Sequence, residues 1–286
     1  MGCDFRWVKW IFSVPVNLNW SILLGAASGI GKGYALELAK DGFNIFFIDK
    51  HEEDSIATKK ELQQLGVQCD YIIYDFGVLG CSSEADNLKA SLDSALRGKD
   101  VAILINNVAE FQHEEFANVS TDTIFRATNV NCHAQAILSN YFIKNLIGRS
   151  ARSALVSVGT NAAEPQNPRY KFALYGATKS YNHILSSGLE EWYGDKLDIM
   201  TVIPRQTKTK MNPADYMFTA TPEQHAKAII DQLGWESKTY GPMMHDLEYA
   251  ARFVYSFGLF DTFVQYCNKN RSEKMIGIYE SNKKSQ

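Results

Sequence analysis

The chain has few cysteines, and none of them is placed for a cross-link or a metal site. There are five in 286 residues, widely spread and without a CxxC pair. An odd, scattered set of this kind is typical of reduced thiols in a cytosol-facing protein. The sequence therefore argues against a disulfide framework, and it does not predict a zinc site.

The sequence also lacks a strong charge of either sign. Its 29 basic and 32 acidic residues give a formal net charge of −3, and no dense basic block occurs before the last few residues. A protein that gathers nucleic acid needs a positive field on its surface. Nucleic acid is therefore not an expected partner.

An uninterrupted membrane span is lacking as well. Residues 11–31 carry no charge and are numerous enough to raise the question, but a proline, two asparagines and several glycines interrupt the apolar run. No secretory signal can be recognised near Met1. Two interpretations of residues 7–16 stay open, because this apolar arm either rests on a membrane surface or packs on the domain.

What the sequence has is enough apolar residues for a full core and a regular alternation of patterns. Hydrophobic residues make up 45% of the chain and aromatic residues 12%. Short apolar runs alternate with amphipathic helical segments, which predicts an α/β fold. We expect a doubly wound, mostly parallel, Rossmann-like sheet with helices on both of its faces.

A glycine-rich turn follows the first predicted strand. Residues 21–24 are a short strand-like run, residues 25–31 contain the glycines, and a helical pattern continues to Lys40. Glycines let the backbone turn tightly and approach a ligand, while the N–H groups at a helix start favour a pyrophosphate. Its position after the first strand favours a dinucleotide site over a purely structural turn.

Two charged residues end the second apolar run, where a dinucleotide-binding unit reads the adenosine ribose. Asp49 and Lys50 lie about 20 residues past the glycine turn. A carboxylate there accepts a hydrogen bond from a 2′-hydroxyl and repels a 2′-phosphate, which a lysine attracts. Asp49 therefore favours NAD over NADP, with Lys50 acting in the opposite direction. The alternative is that both are solvated charges at a strand end.

Polar residues follow two further apolar strands. The run 101–105 is followed by Asn106 and Asn107, and the run 154–158 is followed by Gly159 and Thr160. Strands buried on both faces are expected to be uninterrupted apolar runs, and residues at their carboxyl ends lie on the ligand side of a parallel sheet. These residues are therefore candidates for a binding site.

Two predicted helices carry the remaining site candidates. A helix over 122–147 contains Asn131, whose amide needs a partner among apolar neighbours, so that Asn131 is either structural or part of the site. A helix over 175–192 begins with Tyr175 and Lys179, which share one face. A nearby cation favours the ionised phenol, so we expect Lys179 to lower the pKa of Tyr175, a candidate general acid.

The C-terminal part departs from simple alternation. We expect a helix over 222–233, a short strand near 239–245 and an aromatic segment over 249–266. The aromatic segment contains charged residues, which argues against a membrane span. It either caps an apolar cleft or a bilayer surface, or it packs on the sheet.

In order and spacing, the motifs resemble those of the short-chain dehydrogenase/reductase family over roughly residues 20–210. They are Gly25-xxx-Gly29-x-Gly31, Asp75-Phe76, Asn106-Asn107-Val108, Asn131 and Tyr175-xxx-Lys179. The Asn-Asn-Val string, the residues after Pro204 and the Thr221-Pro-Glu string are similar to the microsomal branch. That branch contains 17β-hydroxysteroid dehydrogenases, 3-oxoacyl-CoA reductases and a member regarded as inactive.

The resemblance implies an oxidoreductase that moves a hydride between NAD or NADP and a carbonyl or secondary alcohol of an apolar substrate, steroid-like or 3-oxoacyl-CoA. It assigns proton exchange to Tyr175, the nicotinamide ribose to Lys179, an ordered water to Asn131 and the substrate carbonyl to Thr160. The implied cofactor-binding residues are Gly25, Ser28, Gly29, Ile30, Gly31, Asp49, Lys50, Asp75, Phe76, Asn107, Tyr175, Lys179 and Thr207. Asp75 and Phe76 would contact the adenine, Asn107 the ribose side and Thr207 the carboxamide.

Three of four departures from the family pattern keep a second interpretation open, a catalytically weak or inactive nucleotide-binding protein. Thr160 replaces a serine, Leu24 a threonine and Ala109 a glycine. In the fourth, Asp49 and Lys50 replace the serine–arginine pair of the microsomal branch. That change sets the NAD preference expected from Asp49 against the NADP preference of the branch.

The resemblance also sets the expected organisation. Residues 1–19 form the arm, 20–210 the dinucleotide-binding and catalytic domain, 211–275 a substrate-side extension of it, and 276–286 a polar tail. We expect membrane contact through the arm or residues 249–266, and a homodimer through helices 122–147 and 175–192. Lys283 and Lys284 resemble a dilysine retrieval signal, so we expect a cytosol-facing protein at the endoplasmic reticulum, with a cytoplasmic location as the alternative.

Overall fold

The computed structural model describes residues 19–163, 171–213 and 219–247, together with 270, 273, 274, 276–278, 280 and 281. Three features predicted from the sequence lie largely or wholly outside these residues. They are the N-terminal arm, the aromatic segment 249–266 and the dilysine pair. Among the helices described, none combines the length and the apolar character that crossing a membrane needs.

Seven strands form one parallel sheet in the order β3-β2-β1-β4-β5-β6-β7. The strands are β1 (Asn19–Leu24), β2 (Asn44–Asp49), β3 (Cys69–Ile73), β4 (Asp100–Asn106), β5 (Ser153–Val158), β6 (Leu197–Val202) and β7 (Lys238–Thr239). The chain leaves β1 in one direction and returns to its other side at β4. This reversal confirms the doubly wound fold and places a ligand crevice at the carboxyl ends of β1 and β4.

Helices cover both faces of the sheet. They are α1 (Gly29–Lys40), α2 (Glu52–Gln64), α3 (Ser82–Ala95), α4 (Thr121–Thr128), α5 (Ala134–Gly148), α6 (Ala173–Tyr193) and α7 (Pro222–Gln232). Alternate residues of β1 show the two-sided burial, since Leu23 packs in one hydrophobic cluster while Ile22 and Leu24 pack in the other. A strand buried in this way has no polar face, which explains the uninterrupted apolar runs.

Three elements differ from those predicted. The helix expected over 122–147 is interrupted by a π-helical turn, Asn129–His133, which inserts an extra residue and is common near functional sites. The strand expected near 239–245 is limited to Lys238–Thr239, and residues 243–247 are helical. Ile276, assigned to the polar tail, is buried against Phe172 and Ala162.

Candidate active site

The carboxyl ends of the central strands surround a cavity of about 910 Å³. Register places them at one edge, because Leu24 pairs with Asn106 and Asn106 pairs with Ser157. The predicted residues that line the cavity are Gly25, Ser28, Gly29, Ile30, Asp49, Lys50, Asp75, Phe76, Asn107, Thr160, Tyr175, Lys179 and Thr207. Gly31 and Asn131 do not line the cavity but contact residues that do, namely Gly25 and Glu110.

In the glycine turn, two segments of the backbone lie so close together that a side chain would not fit between them. Gly25 and Gly29 have φ values of +74° and +58°, which favour glycine. A Cβ on Gly31 would lie 1.9 Å from the Gly25 carbonyl oxygen. The Asn107 amide donates to that same oxygen at 2.7 Å and to the Leu24 carbonyl at 3.3 Å. Asn107 therefore holds the turn, a role that differs from the ribose contact predicted for it.

Asp49 joins the end of β2 to the glycine turn. Its carboxylate accepts hydrogen bonds from the Ala27 N–H at 2.9 Å and from the His51 N–H at 3.1 Å, and the residue is buried. These bonds fix the carboxylate at the wall of the cavity, and a carboxylate has further acceptor positions. A ribose hydroxyl at this wall would find an acceptor in the Asp49 carboxylate, and that contact stays a prediction.

An ion-pair network that the sequence did not reveal lies at the same end of the cavity. Arg126 Nη2 donates to both carboxylate oxygens of Asp75 at 3.0 Å, and Arg126 Nε lies 2.9 Å from the Glu110 carboxylate. Burial acts to raise the pKa of Asp75, but the Gly77 N–H and the Arg126 guanidinium lower it below its ordinary value. The only sequence signal was the position of Glu110 beside the Asn-Asn-Val string.

Asn131 anchors the loop after β4. Its carbonyl oxygen accepts from the Glu110 N–H at 2.7 Å, and its amide donates to the Glu110 carbonyl and the Thr178 hydroxyl, both at 3.0 Å. The buried amide thus has the partners that its burial requires. These contacts make Asn131 a positioning residue, while its role in ordering a water stays a prediction.

Tyr175 is buried at the floor of the cavity with 8% of its surface exposed. Burial raises the pKa of its phenol to about 12, opposed by a hydrogen bond from the Thr160 hydroxyl. The predicted lowering of this pKa by Lys179 is wrong, because removing the phenolate from water outweighs the favourable contacts. Near neutral pH the phenol therefore keeps its proton, as a proton donor requires. The Thr160 contact supports the assignment of Thr160 to the family serine position.

Lys179 is also desolvated, with 1% of its surface exposed. Its ammonium donates to the Val158 carbonyl at 2.9 Å and to the Val108 carbonyl at 3.4 Å. Burial lowers the pKa of Lys179 to about 8, opposed by the Cys132 thiol. The lysine is thereby fixed between the ends of β4 and β5, facing the cavity.

The shifted pKa of Lys179 predicts a pH-dependent stability. Between about 8 and the ordinary value of 10.5, the unfolded lysine binds a proton that the folded lysine has lost. The contribution of Lys179 to the free energy of unfolding must therefore rise with pH in this window. Parallel urea titrations of the native chain and of Lys179→Met measure this effect. As the pH rises through the window, the free energy of unfolding of the native chain is expected to increase relative to that of the variant. A difference that stays constant or falls would contradict the burial of this amine.

Thr207 has the orphaned group that a cofactor would satisfy. The residue is 2% exposed, and its hydroxyl has no hydrogen-bond partner within the described part of the chain. Its carbonyl accepts from the Asn212 amide at 3.1 Å, which holds the loop in place. One end of the cavity thus has a glycine turn with no room for a Cβ at Gly31, and the other end has an unpaired hydroxyl. Both features fit a dinucleotide that ends in a carboxamide.

Aromatic residues form one apolar side of the cavity. The Phe111 ring lies edge-on to Tyr175 at 5.2 Å and to Phe172 at 4.9 Å between ring centroids. Ile276 is buried in the same cluster, and Glu280 lies 3.1 Å from His113. The C-terminal segment therefore contributes to this apolar wall, which the sequence pattern did not indicate.

Comparison with known proteins agrees with this geometry. The chain is 28% identical over 241 residues to "Inactive hydroxysteroid dehydrogenase-like protein 1" of Homo sapiens, covering 81% of this chain and 70% of that protein. It is 28% identical over 234 residues to "Very-long-chain 3-oxoacyl-CoA reductase" of Anas platyrhynchos, covering 79% and 72%. These relatives are similar to the chain over most of its length.

A solved structure and a family model give the same result. A short-chain dehydrogenase from Burkholderia cenocepacia in complex with NADP matches with a TM-score of 0.66 and 25% identity, over 76% of this chain and 91% of that one. The family model for short chain dehydrogenase matches residues 19–217. The chain therefore belongs to the short-chain dehydrogenase/reductase family, as an NAD(P)-dependent oxidoreductase.

Proposed function

We propose that the chain interconverts a carbonyl and a secondary alcohol on an apolar substrate, a 3-oxoacyl-CoA or a steroid-like molecule. The observation that carries the proposal is the buried Tyr175 phenol, hydrogen-bonded to Thr160 and packed against Phe111 at the floor of the cavity. A protonated phenol beside an apolar wall suits reduction of a carbonyl whose remaining atoms are hydrophobic. The names of the relatives mention both substrate classes, although one of them calls its hydroxysteroid-dehydrogenase-like protein inactive.

The mechanism divides between the cofactor and the protein. A bound nicotinamide supplies the hydride. Tyr175 then gives its proton to the carbonyl oxygen, and the Thr160 hydroxyl donates a hydrogen bond to the same oxygen as negative charge develops there. The Lys179 ammonium, held by two backbone carbonyls, would offer its charge and a hydrogen bond to the cofactor ribose.

The direct test is a reduction assay with the full chain. Consumption of NADH and NADPH is followed by loss of nicotinamide absorbance with a panel of 3-oxoacyl thioesters, steroid ketones and small ketones. The proposal predicts turnover with an apolar member of the panel and little with small polar ketones. Turnover restricted to small polar ketones would contradict the proposed substrate class.

Thr160 distinguishes the enzyme from the alternative, a nucleotide-binding protein with weak or no turnover. For an active enzyme, Thr160→Ala is expected to lower turnover by about a hundredfold, because one donor to the developing oxyanion is lost. Thr160→Ser keeps the hydroxyl and is expected to retain activity. If the native chain binds nucleotide without turnover and Thr160→Ser creates activity, the inactive interpretation is correct.

We propose NAD as the slightly favoured cofactor. The support is the fixed carboxylate of Asp49 at the cavity wall, which suits a free 2′-hydroxyl and repels a 2′-phosphate. Titration with NADH and NADPH, followed by nucleotide fluorescence, measures the preference. Tighter binding of NADPH would contradict this assignment.

We further propose a homodimer formed through the helical stretch from α4 to α5 and through α6. Their outer surfaces carry exposed apolar side chains, with Phe125 65%, Ile184 75% and Trp192 79% exposed. Large apolar side chains exposed on neighbouring helices suit a protein interface. Sedimentation of the native chain and of Ile184→Glu tests this, since the native chain is expected to sediment as a dimer and the variant as a monomer. A native monomer would contradict it.

Association with the cytosolic face of the endoplasmic reticulum is also proposed. Met243 and Leu247 are 74% and 62% exposed, and exposed apolar side chains of this kind suit peripheral membrane contact. Flotation of the full chain with lipid vesicles tests the contact, with co-flotation expected. Recovery of all protein in the unbound fraction would contradict it.

A further inference from the structure

Four charged residues cross the adenosine end of the cavity. Lys50 follows β2, Asp75 lies beyond β3, Glu110 lies beyond β4 and Arg126 belongs to α4. The Lys50 ammonium lies 3.9 Å from the Glu110 carboxylate. Arg126 lies 2.9 Å from the Glu110 carboxylate and 3.0 Å from that of Asp75. Glu110 is thus the carboxylate that both cations share.

The position of Glu110 is fixed through its backbone. Asn131 binds both the N–H and the carbonyl of Glu110, so a change of the Glu110 side chain leaves these contacts in place. Arg126 packs closely on Gly77, where a Cβ would lie 2.1 Å from the guanidinium, and its contacts with two carboxylates hold it there. The network is therefore held by its surroundings and does not depend on the charges alone.

Lys50 is placed to influence the choice of nucleotide. It directly follows Asp49, and both residues line the cavity. A 2′-phosphate at this position needs a cation, since it adds negative charge that the ribose hydroxyl lacks. To provide that cation, Lys50 must break its ion pair with Glu110. The Glu110 carboxylate would also repel the phosphate.

We propose that Glu110 is a cofactor-specificity residue, which pairs with Lys50 and so withholds this cation from a 2′-phosphate. It thereby acts together with Asp49 in favour of NAD. Arg126 contributes less to the choice, because its contacts with Glu110 and Asp75 are shorter and hold it in place. The inference rests on the proposed function, since it requires a bound nicotinamide dinucleotide.

The test compares binding of NADH and NADPH to the full-length native chain and to Glu110→Gln by nucleotide fluorescence. The variant is expected to lower the ratio of the dissociation constant for NADPH to that for NADH by about fivefold, the scale of one partly exposed charge pair. Glu115→Gln is the matched control. Glu115 is exposed and outside the network, so its variant removes the same charge and should leave the ratio unchanged.

Lys50→Met identifies the cation responsible. Combined with Glu110→Gln, it is expected to cancel the gain in NADPH binding. Alone, Lys50→Met should change the ratio by less than about twofold, because Lys50 is already paired with Glu110. This single variant keeps the inference testable if Glu110→Gln does not fold. An unchanged ratio in Glu110→Gln, with both nucleotides bound, overturns the specificity role alone. Failure of the native chain to bind either nucleotide overturns the proposed function too.

Discussion

Replacing Tyr175 by phenylalanine is expected to lower turnover in carbonyl reduction by about a hundredfold to ten-thousandfold, the usual contribution of a positioned acid. The variant loses the hydroxyl that binds Thr160 but keeps the ring that packs on Phe111. Nucleotide affinity and melting temperature should therefore stay close to those of the native chain. The measurement is the turnover number with the best substrate of the panel.

A matched control lies at the other end of the same helix. Tyr193 ends α6 and packs against the second hydrophobic cluster, away from the cavity. Tyr193→Phe removes a hydroxyl of the same kind and is expected to leave turnover unchanged. If Tyr175→Phe retains native turnover, another group donates the proton and the assignment of Tyr175 is wrong.

Gly31→Ala is expected to abolish nucleotide binding and to lower the melting temperature. On helix propensity alone, alanine in α1 would stabilise the chain by about 1 kcal/mol. The added Cβ, however, would lie 1.9 Å from the Gly25 carbonyl oxygen and 2.5 Å from the Asn107 amide. Overpacking of this kind costs about 1–3 kcal/mol, and here it displaces the turn that faces the pyrophosphate. Fluorescence titration and thermal unfolding measure the two effects.

Gly33→Ala separates loss of stability from loss of the site. Its Cβ would lie 2.5 Å from the Pro222 carbonyl oxygen at the start of α7, behind the cavity. This variant should lose stability while the folded fraction keeps its nucleotide affinity. For Gly148→Ala, the Cβ would meet no heavy atom of the described residues within 4 Å outside its own helix, so this variant should keep its nucleotide affinity and lose no stability. Native affinity in Gly31→Ala would contradict the role of the turn.

Much of the fold follows from local sequence patterns. Strands such as β1 and β4 are apolar on both faces, so their runs are uninterrupted and their ends are marked by glycine or asparagine. The parallel order then places all carboxyl ends at one edge. The pattern therefore predicts that the residues that follow these strands, including Gly25 and Thr160, lie at a single site.

The details that the sequence did not predict depend on contacts between distant segments. The pairing of Arg126 with Asp75 and Glu110 joins three elements that share no periodic signal. The pKa of Tyr175 depends on how completely the phenol is removed from water, which spacing along α6 does not show. The π-helical turn around Asn131 likewise accompanies bonds to Glu110 and Thr178 across the fold.

The most direct test of the central claim is to trace the transferred hydride with deuterium. NADH or NADPH carrying deuterium at the transferable position is incubated with the full chain and an apolar ketone of the panel, and the alcohol is analysed by mass spectrometry. We predict one deuterium at the carbinol carbon with the native chain and almost none with Tyr175→Phe. Tight nucleotide binding with no deuterium in any product of the native chain would contradict the account.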